Sequence, residues 1–242
     1  SVCNNGKEAL GIVKEMMPNL IISDIMMPEM RGDELCQILK KDIETSHIPI
    51  ILLTALSTDK NIIEGLQSGA DEYIVKPFNI GILRATIANL LANRALLRRK
   101  YANLELNDKN EDIPCANCNN DLDREFIATV KKIVDDNMDN PGFNVDTLCS
   151  LMNMSRTSFY NKIKALTDQA PADYIRLIKL KYAAQLLEEQ RYTITEIAER
   201  TGFNDAKYFR EVFKKHFNVS PSQYAKDKIQ EKEKRMSPEK PS

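Results

Sequence analysis

Three polar residues, Asp24, Thr54 and Lys76, each stand directly after a run of apolar residues. A carboxylate can act as a nucleophile or a metal ligand, a hydroxyl can donate a hydrogen bond, and an ammonium group can neutralise an anion. If the three runs are parallel strands, their carboxyl ends meet at one edge of a sheet, which is where open α/β sheets bind ligands. The sequence therefore predicts one chemical site made from three residues. Independent strand-end caps are the alternative interpretation.

A second set of candidate residues lies in two locally basic stretches. The whole chain is nearly neutral, with 34 Lys and Arg against 35 Asp and Glu. Residues 151–182, however, hold six basic and two acidic side chains, and residues 206–216 hold four and one. Such stretches can face phosphate groups, because binding depends on where the charge lies rather than on its sum. Basic helix faces that only meet water are the alternative.

The elements that must position the first site follow an alternating pattern. Apolar runs without polar alternation predict strands of a parallel sheet with helices on both faces. The predicted strands are 20–23, 49–53 and 73–75, and the predicted helices are 6–17, 33–41, 58–68 and 80–104.

The second half of the chain predicts helices throughout and contains an internal repeat. Residues 106–121 are polar and lack periodicity, so they read as a linker. After them Phe159 and Phe209 match at an offset of 50 residues, and so do Tyr174 and Tyr224. Each repeat predicts a short helix, a tight turn and a longer helix with a basic face, which is a helix-turn-helix arrangement.

Three helix starts in this half carry capping residues. Ser155 is placed to cap the longer helix of the first repeat, and Asn204-Asp205 that of the second. Thr193 and Glu196 have the spacing of a capping box.

Composition sets the wider limits. The 242 residues, 43% of them apolar, suggest one to two domains of a globular protein. No apolar run approaches the roughly 18 residues of a membrane span, and five scattered cysteines favour reduced thiols and a cytoplasmic setting. The chain begins with Ser1, so we expect either processing or a piece of something longer.

The motifs of the first half resemble the receiver domain of bacterial response regulators. They are the run Asp24–Gly32, Leu53-Thr54-Ala55, Gly69–Tyr73 and Lys76-Pro77-Phe78. The resemblance implies a doubly wound, flavodoxin-like parallel sheet over about residues 1–105. It also implies a cis bond between Lys76 and Pro77, an isomer available at low cost only before proline.

The resemblance also implies roles for individual residues. Asp24 would accept a phosphoryl group from a histidine kinase, Lys76 would pair with the phosphoryl oxygens, and Thr54 would hydrogen-bond one of them. Tyr73 would change rotamer together with Thr54. Mg²⁺ would be held by Asp24 and by the backbone carbonyl of Met26.

One departure from the receiver pattern is large. The family's acidic pair, its first strand and first helix, and most of its second strand have no counterpart in this sequence. We therefore expect an amino-terminally truncated receiver whose Mg²⁺ site is incomplete. We also expect the strand at 20–23 to form an apolar sheet edge that favours self-association.

Residues 122–226 resemble the DNA-binding domain of arabinose-regulator-type (AraC-type) transcription factors. The signature residues are Ile197-Ala198 through Gly202-Phe203, Tyr208-Phe209, Phe213-Lys214-Lys215 and Ser220–Tyr224. Asp168 and Asn218 stand where the family usually has glycine, and both tolerate left-handed backbone. The resemblance implies two recognition helices in successive major grooves, joined by a helix at about 172–189.

Position in these helices selects the candidate DNA contacts. The predicted base-reading residues are Thr157, Tyr160 and Asn161 in the first helix and Ala206, Lys207, Arg210 and Glu211 in the second. Asn161 suits adenine and Arg210 suits guanine. The predicted phosphate contacts are Arg156, Lys164, Lys214 and Lys215.

Together these features predict a two-component response regulator in which phosphorylation controls DNA binding and transcription. The predicted order is receiver 1–105, linker 106–121, DNA-binding domain 122–226 and charged tail 227–242, frayed from about Lys226. The chain itself is not expected to be an enzyme. The alternative is the tail of a hybrid protein whose front carries a sensor and a histidine kinase.

Two weaker signals concern partners. Cys115 and Cys118 have a CxxC spacing but no second pair, which favours plain linker thiols over zinc or redox chemistry. An apolar stripe on the helix at 80–104 either pairs with a second copy in a homodimer or covers its own domain. Its members are Leu83, Ile87, Leu90, Leu91, Ala95 and Leu97.

Overall fold

The computed structural model describes residues 1–55, 68–102 and 121–236, with backbone alone for 96–102 and 232–236. The chain forms two compact units. One comprises Ser1–Thr129 together with Ser155–Ala170, and the other comprises Val130–Met154 together with Pro171–Ser242.

Helices and strands alternate in the first part of the chain, as the sequence predicts. Their bounds are α1 Gly6–Met16, β1 Ile21–Asp24, α2 Gly32–Lys41, β2 Ile50–Thr54, β3 Glu72–Val75 and α3 Ile80–Ala102. The predicted helix at 58–68 lies almost entirely outside the described residues.

The three strands form a parallel sheet in the order β1-β2-β3. Ile21 lies beside Ile50, and Ile51 lies beside Glu72. The core on this sheet is formed by fully buried side chains of α2 and β2, among them Leu35, Leu39 and Leu52. Alternation of these elements is what brings the three strand ends to one edge.

Strand β1 lies at the edge of this sheet, with β2 as its one neighbour in the described part of the chain. Ile22 on this strand is 42% exposed, whereas Ile51 on β2 is fully buried. Apolar side chains of this kind on an edge strand favour pairing with another strand.

The rest of the described chain is helical, so the predicted α/β plus all-α fold class is confirmed. The helices are α4 Asp121–Asp136, α5 Val145–Leu151, α6 Arg156–Thr167, α7 Pro171–Glu189, α8 Ile194–Arg200, α9 Ala206–Phe217 and α10 Pro221–Met236. No helix in the described ranges has the length and apolar content needed to cross a membrane.

The predicted caps are present. Ser155 accepts a hydrogen bond from the N–H of Ser158 at 3.1 Å, and Asp205 accepts one from Lys207 at 2.8 Å. Thr193 and Glu196 form the full capping box at the start of α8. These side chains satisfy N–H groups that a helix start leaves without partners, which fixes where the helices begin.

The second helix-turn-helix, α8 and α9, is built on an aromatic core. The ring of Phe209 lies 5.2 Å from that of Phe203 and 5.6 Å from that of Phe213. The Phe213 ring in turn lies 5.5 Å from Tyr224 of α10. Ring pairs at this spacing add to the stabilisation from apolar burial.

The prediction of a frayed tail from about Lys226 is wrong for the described part, because α10 continues to Met236. Side chains one turn apart support it: Gln223 donates to Asp227 at 2.8 Å, and Lys228 pairs with Glu231 at 2.9 Å. Pairs at this spacing stabilise helices, so high charge alone does not predict fraying.

The domain limits at 1–105 and 122–226 stay a prediction. The boundaries of the compact units differ from these limits: the unit that contains the sheet also includes α6 and the start of α4.

Candidate functional site

Asp24 ends β1 and forms an ion pair with Lys76, which follows β3 on the far side of β2. Its Oδ1 also accepts a hydrogen bond from the backbone N–H of Met26 at 3.1 Å. Partial burial raises the pKa of the Asp24 carboxyl. The hydrogen bonds from Lys76 and the backbone outweigh that effect, so the net pKa lies below its ordinary value. The group is therefore an anion at neutral pH.

Lys76 is held by the backbone around it. Its N–H donates to the carbonyl of Thr54 at 2.6 Å, which extends the ladder between β2 and β3 by one residue. The bond from Lys76 to Pro77 is cis, as predicted. This backbone places the ammonium group at the sheet edge, where it meets Asp24.

Thr54 and Tyr73 occupy different surroundings. Thr54 ends β2, between the strands of Asp24 and Lys76, and is buried. The Tyr73 hydroxyl lies 2.7 Å from Oγ of Ser68, and partial burial raises its pKa. The structure thus brings Asp24, Thr54 and Lys76 to one edge, while the Tyr73 hydroxyl is hydrogen-bonded to Ser68.

Gly32 also supports the site, although no sequence pattern singles it out. Its N–H donates to the carbonyl of Ile25 at 3.1 Å, which folds the segment after β1 back against the strand end. A Cβ atom at position 32 would overlap the backbone carbonyl of Asp24. Only glycine allows α2 to begin this close to the site.

The described residues do not by themselves make a magnesium site. Asp24 and the backbone carbonyl of Met26 are the predicted ligands, and the described ranges contain no group of three His, Cys, Asp or Glu side chains suited to a metal. Mg²⁺ prefers six oxygen ligands in octahedral geometry. These two oxygen donors are fewer than the six that Mg²⁺ prefers, and the Mg²⁺ site stays a prediction.

The remaining geometry suits transfer of an anionic group. The Asp24 side chain retains 35% of its exposure, so a ligand can reach it from solvent. The Lys76 ammonium is adjacent and can balance the charge of a group that becomes attached to the carboxylate.

The predicted contact residues of α6 lie on its exposed side. Arg156, Thr157, Tyr160 and Lys164 are exposed, and Asn161 is partly buried. The opposite side of the helix is buried through Phe159 and Ile163.

In α9 the predicted contact residues are exposed as well. They are Lys207, Arg210, Glu211, Lys214 and Lys215, with Ala206 partly buried at the first position. Phe209 and Phe213 hold the other side of this helix in the core.

Not every basic residue of the two stretches can meet phosphate. Lys162 is fully buried and Lys179 is 6% exposed. The local count of basic residues therefore overstates the number of basic side chains that residues 151–182 expose. Both lysines take part in internal packing instead.

Some predictions fall on parts that the structure does not cover. The CxxC pair Cys115 and Cys118 and the side chain of Leu97 lie outside the described residues. In the rest of the apolar stripe on α3, Leu91 is 42% exposed and Leu83, Ile87 and Leu90 are half-buried. Pairing with a second copy and covering of its own domain both stay predictions for this stripe.

Two family models match the chain. Residues 1–88 match the response regulator receiver domain, and residues 148–227 match a helix-turn-helix domain. The first match contains Asp24, Thr54 and Lys76, and the second contains both exposed helix faces.

Individual relatives match different lengths of the chain. A protein named histidine kinase P4 from Formosa agariphila is 46% identical over 220 residues, which are 91% of this chain and 16% of that protein. The probable transcriptional regulator ycf27 of Porphyridium aerugineum is 49% identical over 87 residues, 36% of this chain and 35% of the relative. The DNA-binding response regulator MtrA of Mycolicibacterium smegmatis is 36% identical over 118 residues, 47% of this chain and 48% of the relative. The chain thus spans from about one sixth to one half of these proteins.

Proposed function

We propose that phosphorylation of Asp24 by a histidine kinase controls the binding of this chain to specific DNA sequences. The matches to a response regulator receiver domain over residues 1–88 and to a helix-turn-helix domain over residues 148–227 support this proposal. The observation that carries this proposal is the pairing of Asp24 with Lys76 at the carboxyl edge of the sheet.

In the proposed reaction a carboxylate oxygen of Asp24 attacks the phosphorus of a phosphohistidine. An O–P bond forms as the P–N bond breaks, and the electron pair of that bond stays on the histidine nitrogen. Lys76 then pairs with phosphoryl oxygens in place of the free carboxylate. Its position beside Asp24 supports this role, because a preplaced cation stabilises charge at little reorganisation cost.

Thr54 and Tyr73 are proposed to rearrange when Asp24 is phosphorylated and so to change the surface of the receiver. Thr54 would hydrogen-bond a phosphoryl oxygen, and Tyr73 would leave Ser68 and follow it. New charge-assisted hydrogen bonds of this type bias a two-state surface toward one state.

The proposed output is transcription regulation through α6 and α9. Their exposed polar faces suit the major groove, where Asn161 pairs well with adenine and Arg210 with guanine. Arg156, Lys164, Lys214 and Lys215 are the proposed phosphate contacts. Binding to chromosomal DNA goes with a cytoplasmic location, which we also propose.

The test compares duplexes selected by the wild-type chain from a random pool. Selection should enrich one sequence. In the protein extended upstream to a complete receiver, treatment with acetyl phosphate and Mg²⁺ should change the affinity for that sequence, and the same protein with Asp24→Ala should show no change. An unchanged affinity in both proteins, with Asp24 shown to be labelled, would contradict phosphorylation control.

A second candidate concerns the parent protein. The identity to histidine kinase P4 extends over 91% of this chain and covers 16% of that relative, which favours a hybrid protein with a sensor and kinase ahead of these domains. Reading the gene upstream decides between a kinase acting within the same chain and one acting on it from outside.

We also propose a homodimer, supported by the apolar residues that α3 exposes. Sedimentation of the wild-type chain against Leu91→Lys tests it. A dimer that persists in the variant would place the contact elsewhere.

A further inference from the structure

The loop between α2 and β2, residues 42–48, is unusually well buried for a connection. Thr45, Ser46 and Ile48 are each 1% exposed. The carbonyl of Asp42 accepts hydrogen bonds from the N–H groups of Thr45 at 3.1 Å and Ser46 at 2.8 Å. A loop covered in this way has a packing partner.

That partner is a polar cluster on α4 and α6. Oδ1 of Asp123 accepts hydrogen bonds from Oγ of Ser46 at 2.6 Å and from Nζ of Lys162 at 2.5 Å. The same ammonium donates to Oγ of Ser46 at 2.8 Å. Asp123 is 3% exposed and Lys162 is fully buried. A buried ion pair is tolerated when further hydrogen bonds complete it, and Ser46 supplies them from the loop.

The loop is fixed to the receiver by a second buried ion pair. Nζ of Lys40 donates to the carbonyl of Ile48 at 2.8 Å and to Oδ2 of Asp71 at 2.7 Å. Asp71 also accepts from the N–H of Ile50 at the start of β2, at 2.8 Å. The position of Ser46 is therefore tied to α2, β2 and the start of β3.

The cluster meets α6 on the side away from the predicted DNA contacts. Lys162 lies on the buried side with Phe159 and Ile163, whereas Arg156 and Tyr160 are exposed. The contacts of Ser46 with Asp123 and Lys162, called the grip below, therefore leave the polar face of α6 exposed. They fix the position of α6 relative to the loop. Helix α3 of the receiver also contacts α6.

We propose that the 42–48 loop is the surface by which the receiver holds the first DNA-reading helix, with Ser46 joining it to the Asp123–Lys162 pair. A shift of the receiver then moves α6 directly, without passing through the segment between α3 and α4. The role of α6 as a reader rests on the proposed function, whereas the grip itself does not.

The test measures hydrogen exchange of the 242-residue chain. Ser46→Ala should speed exchange of the α6 amides about tenfold, because a hydrogen bond to a charged pair is lost. Amides of α9 serve as an internal measure of overall folding and should stay unchanged. If α9 loses protection too, Ser46→Cys, which retains a weak donor of similar size, replaces Ser46→Ala under the same criterion.

Thr45→Val is the matched control. Thr45 is as buried as Ser46 and lies in the same loop, but its hydroxyl donates to the carbonyl of Leu39 at 2.8 Å. This variant loses one buried hydrogen bond without touching the cluster. Equal effects of Thr45→Val and Ser46→Ala on α6 would overturn the proposal.

A DNA arm separates this proposal from the proposed function. For a duplex selected by the wild type, Ser46→Ala should change the base preference. The change should fall at the base positions whose preference also changes when contact residues of α6 are substituted. If selection enriches no sequence but hydrogen exchange of the α6 amides depends on Ser46, the proposed DNA-reading function is contradicted and the proposed contact of the loop with α6 is supported. If a sequence is enriched but Ser46→Ala changes neither readout, the grip fails.

Discussion

Asp24 combines two properties that a phosphoacceptor needs: a cation at its side and access from solvent. Its ion pair with Lys76 keeps the carboxylate ionised and therefore nucleophilic. A free carboxylate at the same edge would lack the charge balance that a phosphoryl group requires.

The first prediction concerns labelling. In the protein extended upstream to a complete receiver, treatment with a small phosphodonor and Mg²⁺ should label Asp24. Asp24→Ala should abolish the label, because Asp24 is the carboxylate that pairs with Lys76 at the sheet edge. Phosphate-affinity gels measure the labelled fraction.

Asp33→Ala is the control, since Asp33 is also ion-paired, to Arg31 at 2.9 Å, and also has a lowered pKa. It should label as the wild type does. Full labelling of Asp24→Ala would contradict the assignment of Asp24 as the phosphorylated residue.

The second prediction separates two basic residues of α9. Arg210→Ala should cost about 1–3 kcal/mol of binding free energy at one base position, because a bidentate contact to guanine is lost. Lys215→Ala should weaken all sequences alike and reduce the salt dependence of binding. Binding profiles over single-base variants of a selected duplex measure both. An unchanged Arg210→Ala profile would refute its role as a reader.

At the scale of elements, α6 and α9 both end at a residue with left-handed backbone, and the two repeats use different residues for it. Asp168 and Asn218 both adopt left-handed backbone, with φ of 60° and 61°. Glycine would do this without a steric cost, but a short polar side chain also tolerates it.

The third prediction follows from this geometry. Asp168→Ala should lower the free energy of unfolding by about 1 kcal/mol, whereas Asp168→Gly should not lower it, because only alanine adds strain at positive φ. Urea denaturation measures both. The same pair at Asn218 repeats the test, and equal losses for alanine and glycine would show that the side chain rather than the backbone matters.

The fourth prediction concerns the loop that holds α6. Burial, aided by the charges of Lys162, Arg94 and Lys40, lowers the pKa of His47 to about 3. The folded state therefore keeps this imidazole neutral, while the unfolded chain binds a proton near pH 6.5. Stability is fully present above pH 6.5 and falls as the pH drops from 6.5 toward 3.

His47→Gln should lose about 2 kcal/mol less stability than the wild type between pH 7 and pH 5. Denaturation at a series of pH values measures the difference, in which the shared carboxylates cancel. Parallel curves would mean that His47 takes up protons equally in both states.

At the scale of the whole molecule, the two predicted reading helices belong to different compact units. Helix α6 lies in the unit with the receiver sheet, and α9 lies in the other unit. The buried cluster of Ser46, Asp123 and Lys162 lies in the same compact unit as α6.

The fifth prediction is that each chain reads an asymmetric DNA site of two parts. Asn161→Ala should relax preference in one part and Arg210→Ala in the other, since the two side chains lie on separate helices. Selection from random duplexes with each variant measures the two profiles. Loss of preference at the same base positions in both variants would contradict two readers.

The sequence by itself determined the order of elements and the strand-end residues. Continuous apolar runs predicted β1, β2 and β3 to within about one residue, because a short apolar run that ends at a polar residue leaves a local signature. The caps at Ser155, Thr193 and Asp205 were also readable, since a helix start needs a nearby acceptor. The prediction failed at the tail, where side-chain pairs along α10 offset its charge.

Only the tertiary structure decided which basic residues face outward and what holds α6. In sequence Lys162 is one of several lysines in a basic stretch. Its neighbours Phe159 and Ile163 do not indicate which residues it contacts. Its partners Ser46 and Asp123 lie 116 and 39 residues away along the chain. Contacts over such separations leave no local periodicity, because they depend on how elements pack after they form. The close approach at Gly32 was hidden for the same reason, since the atom it avoids belongs to Asp24 on another element.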